Sequence, residues 1–207
     1  VKLWSDLYDL VTPDLPGCAF AAVNSALRQS AIVFCAQSLA WQEEHPPVAV
    51  QAETAEYAFI PPTGAAVHAI TYARFNGKEI SPHTGELNFT TRDWRNQTGT
   101  PEYVLGGPTS LRLVPEPDAG GTLTITVALK PSASSAGIDE HLFNEYREAI
   151  VHGALARLML SPKKPYTNTQ LAQYHQQQFL IQTAMAGTRA ARNFTRGPLR
   201  TAILRRG

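Results

Sequence analysis

Residues able to do chemistry are few in this chain, and they are scattered. The six histidines stand at 45, 68, 83, 141, 152 and 175. Two metal ligands on one helix need a spacing of three or four, so no two of these form such a pair, and each reads as a surface or hydrogen-bonded structural imidazole. Cys18 and Cys35 fall in one predicted helix. The helical rise separates them by roughly 25 Å, too far for a disulfide, so they read as buried thiols. A nucleophile elbow, a phosphate loop, an H-E-x-x-H helix and a C-x-x-C pair are all missing. The densest polar set is RDWRNQTG at residues 92–99, with His83 and Glu86 shortly before it. Arg92 and Arg95 flank Asp93 and Trp94, and two guanidinium groups at that spacing could clamp an anion. A carbohydrate-active enzyme with Asp93 or Glu86 as its acid is one reading of this loop. A solvated loop with a surface ion pair is the plainer one. Glu43 with Glu44, and Glu145 with Glu148, read as surface charges, and Trp4, Trp41 and Trp94 as core or interface anchors. No catalytic residue, metal or cofactor is expected.

Charge is the second source of chemistry, and it is segregated. The chain has 207 residues with 18 Lys and Arg against 17 Asp and Glu. Six of those cations, Arg189, Arg192, Arg196, Arg200, Arg205 and Arg206, fall after Gly187, where there is no acid. The body before them is therefore net acidic and is not built to displace counterions from phosphate. Any contact with nucleic acid is expected at the tail. No apolar run is long enough to span a membrane, and VKLWSDLYDL lacks the apolar core of a signal peptide, so the chain reads as soluble and made in a cytoplasm. The three Asn-x-Thr sites at Asn88, Asn96 and Asn193 then read as chance.

The elements that must carry these residues follow from periodicity. Trp4, Leu7, Tyr8 and Val11 at i, i+3, i+4, i+7 predict a short helix, which TPDLPG breaks. An alanine-rich helix with Phe20, Val23, Leu27 and Phe34 follows, suited to close packing on other helices. From Val48 to about Lys130 the pattern is β-rich. GTLTITVALKP alternates Leu123, Ile125, Val127 and Leu129 with threonines, the mark of a half-buried strand in an antiparallel sheet. Asn76-Gly77 predicts a two-residue type I′ hairpin.

Helix returns at GIDEHLFNEYREAIVHGALARLML. Asp139 and Glu140 sit at its positive end, and Gly153 in mid-helix implies close packing. Pro162 and Pro165 stop that helix, and Thr167 or Asn168 caps the last one, expected over residues 169–186. Leu171, Tyr174, Ile181 and Met185 form a narrow apolar stripe on that helix among many glutamines.

The expected fold class is therefore α+β: a helical bundle from the N- and C-terminal helices with a β-rich insertion between them, and an extended C-terminal tail. Its expected division is a bundle of residues 1–45 and 137–187, an insertion domain of 46–136, and a basic tail of 188–207.

In their order, LPGCAFAAVNSALRQSAIVFCAQSLAWQ, RDWRNQTGTPEYV, LRLVPEP, LTITVALKPS and LFNEYREAIVHGALARLMLSPKKPYTN resemble the head-to-tail adaptor proteins of tailed bacteriophages, of the podovirus tail-tubular-protein-A type. The resemblance covers nearly the whole chain, although each motif alone is weak. It implies a non-enzymatic virion protein at the head-tail junction, assembled in the host cytoplasm as a ring of twelve copies. The ring would sit beneath the portal protein and bind a tail tube or nozzle protein below. Genomic DNA would pass through its channel without sequence-specific binding, and no membrane is involved. C-terminal segments dock on the portal in such proteins. Here that segment offers Arg189, Arg192, Phe194, Arg196, Leu199, Arg200, Ile203, Leu204, Arg205 and Arg206, charge mixed with apolar anchors. The loop with His83, Glu86, Arg92, Asp93, Trp94 and Arg95 would face a tail protein or a neighbouring copy. The alternative is a nucleic-acid-binding module that uses the arginine-rich tail.

Overall fold

The computed structural model describes residues 1–83 and 97–192. The chain opens with a short strand, β1 (Lys2–Leu3), then a 3-10 turn (Trp4–Leu7), a turn of helix α1 (Tyr8–Val11) and a second 3-10 turn (Thr12–Asp14). Trp4, Leu7 and Val11 of the expected apolar face are buried, and the Trp4 indole donates to the Ser135 carbonyl at 2.9 Å. Helix α2 (Phe20–Ser38) follows and ends at Leu39, which takes the left-handed conformation. Its Val23, Leu27, Ala31, Phe34 and Cys35 are buried.

The strands come next: β2 (Gln42–Glu44), β3 (Val48–Val50), β4 (Glu56–Ala58), β5 (Ala65–Phe75) and β6 (Lys78–His83). After the loop come β7 (Thr98–Gly99), β8 (Tyr103–Gly106), β9 (Ser110–Val114), β10 (Glu116–Pro117), β11 (Gly121–Pro131) and β12 (Gly137–Ile138). The large sheet runs β2-β11-β5-β6-β8-β9-β4, with β3 also paired to β11. The Asn76-Gly77 hairpin joins β5 to β6 with positive φ at both residues, 49° and 80°, as a type I′ turn requires. The alternation in β11 is also as expected, with Leu123, Ile125, Val127 and Leu129 all buried. The sheet is mixed rather than antiparallel, because β6 and β8 run parallel across the long loop between them.

Helices α3 (Glu140–Met159) and α4 (Thr169–Ala191) close the described chain. They pack on each other, and α2 packs on both.

The expected helical bundle with a β insertion is wrong. Among the described residues the fold is α+β, with a large curled mixed sheet and four helices that share one core. Helix α2 lies against β11 as well as against α3 and α4, so it joins the two layers. β1 pairs with β12, which ties the first residues to the strand that leads into α3. Arg28 on α2 donates from Nε to the Ser135 carbonyl at 3.0 Å and from a terminal nitrogen to the Ala133 carbonyl at 3.1 Å. The physical reason lies in β11. Its apolar face needs a cover, and the alanine-rich α2 is slim enough to approach a sheet as closely as it approaches a helix.

Candidate docking surface

Helix α3 is the platform. Asp139 caps it, its carboxylate accepting from the His141 N–H at 2.8 Å. Gly153 sits on α3 between Ser30 of α2 and Phe179 of α4. A Cβ there would collide with Ser30 Oγ on α2 and lie 2.8 Å from the Phe179 ring on α4. Ser30 uses the space to donate to the Ile150 carbonyl at 2.7 Å. The glycine expected to pack closely therefore does so, at the point that sets the distance of α4 from the core.

Helix α4 starts at Asn168, whose side-chain oxygen accepts from the Leu171 N–H at 3.1 Å. Its buried residues are Ala172, His175, Phe179, Thr183, Ala186 and Ala190, one face made mostly of small side chains. The stripe read from the sequence lies elsewhere: Leu171, Tyr174, Ile181 and Met185 are all exposed, Met185 at 68%. By helical geometry the stripe is about 120° round the helix from the buried face. Arg189 is the only Asp, Glu, Lys or Arg from Thr169 to Ala191. An outer surface that sets large apolar side chains among glutamines, with almost no charge, is suited to contact with another protein.

The expected tail begins inside this helix, which runs five residues beyond its expected end at residue 186. Arg189 pairs with Glu145 of α3 at 2.7 Å, and its guanidinium holds the Glu145 carboxyl below the usual carboxylate range. Arg192 is the C-cap of α4. A groove of about 680 Å³ opens beside this end, between Gln37–Leu39, Tyr72 on β5 and Gly187, Ala190 and Ala191. Phe194, Arg196, Leu199, Arg200, Ile203, Leu204, Arg205 and Arg206 lie outside the described residues, as do Glu86, Arg92, Asp93, Trp94 and Arg95 of the loop. His83 ends β6 and meets the Tyr103 ring edge-on at 5.7 Å.

The histidines divide. His45 is buried with both ring nitrogens engaged: Nδ1 lies 2.7 Å from the Pro46 carbonyl, and Nε2 accepts from the Ile60 N–H at 2.8 Å, which makes it structural. His152 and His175 touch across α3 and α4 with Nδ1 to Nδ1 at 2.7 Å. Spacing along one helix could not reveal that pair. Their near-equal distance from the turn between the two helices could have, because an antiparallel helical hairpin sets such residues abreast. Of the thiols, Cys35 is buried and Cys18 half-buried. Burial, with the Asp139 charge second, pushes the Cys35 thiol up to about 12, so it stays protonated and unreactive. Among the described residues no group of three or more His, Cys, Asp or Glu could hold a metal ion. No described helix is long and apolar enough to cross a membrane.

No curated protein matches this chain. The family model described as SU10 adaptor protein matches residues 3–202, a span that begins in β1, takes in the sheet and the four described helices, and ends within the arginine-rich tail. With nearly the whole chain matched, this protein belongs to the SU10 adaptor family and is a phage adaptor, a structural component of the virion consistent with a head-to-tail adaptor.

Proposed function

We propose that this adaptor forms a ring of twelve copies between portal and tail, extends the DNA channel, and is not an enzyme. The family match over residues 3–202 carries the reading. The outer face of α4 supports it: a closed ring needs each copy to present one surface to the next copy, and Leu171, Tyr174, Ile181 and Met185 offer an apolar surface for that contact. The arginine-rich tail reaches the portal, where acidic pockets receive its guanidinium groups and its apolar side chains fill adjoining clefts. The acidic body leaves DNA free to slide, and a tail tube or nozzle protein attaches below. Assembly takes place in the host cytoplasm.

The position of Arg189 in α4 sharpens the test. Truncation after Arg192 leaves the whole of α4 and its pair with Glu145 in place. The truncated protein should keep its melting temperature and lose binding to the portal protein of the same phage. Undiminished binding would remove the tail from the docking role. Binding of the full chain to duplex DNA, with a steep fall as salt rises, would instead favour the nucleic-acid reading, which the six arginines of the tail motivate.

A further inference from the structure

His152 on α3 and His175 on α4 face each other through the same ring atom, Nδ1. Two Nδ1 atoms 2.7 Å apart can share only one hydrogen, so one ring donates through Nδ1 and the other accepts. The first proton added in acid goes to Nε2 of the donating ring and leaves the bridge intact. The second needs the lone pair that the bridge occupies. It ends the hydrogen bond and sets two cations against each other. We propose that this contact makes the seam between α3 and α4 an acid-sensitive joint, closed while the pair carries at most one extra proton and opened at that point by the second.

The groups around the pair fit such a joint. From α3, Glu148 sits one turn before His152 and favours its protonation, whereas His175 opposes it. From the Thr12–Asp14 turn, Asp14 favours protonation of His175. From α4, the Tyr174 ring meets the His152 ring at 6.2 Å and the His175 ring at 5.3 Å, both edge-on. Each ring thus feels the charge of one carboxylate, Glu148 for His152 and Asp14 for His175, and the two acids stand on different elements. The closed state resists the change, because burial holds both rings below their ordinary value of 6.5. A folded imidazole that resists its proton binds fewer protons than the unfolded chain. The stabilisation is therefore complete above about pH 6.5 and is lost as the pH falls below it. The inference concerns the single folded chain and stands whether or not a ring forms.

The test is a pH titration of the full chain by NMR, following the two imidazoles, beside thermal melts of the wild type and of His152→Asn. Asparagine places a hydrogen-bonding atom close to where Nδ1 stood and cannot titrate in this range. In the wild type both rings should take up their protons at a pH below their ordinary value of 6.5, and uptake of the second proton should coincide with loss of contacts between α3 and α4. The drop in melting temperature from about pH 7.5 to about pH 5 should shrink in His152→Asn to less than about half the wild-type drop. Independent titration of both rings near 6.5 with the seam unmoved would overturn the proposal, and so would an undiminished drop in the variant. If His152→Asn does not fold, His175→Asn is the reciprocal variant, and the wild-type titration decides without either.

Discussion

Helices α3 and α4 are neighbours of similar length that treat their surfaces differently. Eleven of the 20 residues of α3 are buried, and they lie nearly all round it from Ala149 to Met159. Only six of the 23 in α4 are buried, while five large apolar residues, Leu171, Tyr174, Leu180, Ile181 and Met185, stay exposed. α3 finishes its packing within one copy of the chain. α4 leaves most of its surface outside that core, and a half-used helix whose one charged residue of the Asp, Glu, Lys and Arg types is Arg189 is what a surface for a further protein looks like. The lesson is that hydrophobic content does not tell a core helix from a docking helix. What separates them is the size of the residues on the buried face, since α4 seats itself with three alanines, Thr183, His175 and one Phe, and keeps most of its larger apolar side chains outward.

That contrast can be broken from its buried side first. Gly153→Val forces a branched side chain into Ser30 and Phe179 and should cost about 3 kcal/mol in chemical denaturation, because overpacking at a three-helix junction has no room to relax. A variant as stable as the wild type would mean that the junction is loose. Next, Asn168→Ala removes the cap of α4 and should cost about 1 kcal/mol in the same measurement. An unchanged midpoint would show that tertiary packing alone sets the start of α4.

Several elements were legible because local rules decide them. Asn76-Gly77 had to be a tight hairpin, since few other dipeptides accept positive φ twice. β11 declared its inward face by strict alternation, and Gly153 declared a close approach by its cost in a helix. The partner of each face was less legible. The alternating face of β11 is compatible with a separate β domain or with a cover of helices, and only the tertiary structure reveals that α2 covers it. In α4 two stripes share helical spacing, and the sequence favours the larger residues, whereas the packed core accepts the smaller ones because Gly153 lets the helices approach so closely. Arg189 read as part of a free tail because its partner, Glu145, is 44 residues away, across a helical hairpin. The family itself was legible from the order of weak motifs, which a whole-chain match also weighs.

The outer face of α4 should matter least for stability and most for assembly. Replacing Ile181 and Met185 together by Gln should shift unfolding by less than about 0.5 kcal/mol, since both are exposed. Assembly should respond quite differently. Electron microscopy of the purified chain mixed with the portal protein should show wild-type rings with a central pore, and the double variant should stay as single folded copies. Rings formed equally well by the variant, or single copies only from the wild type, would contradict the account.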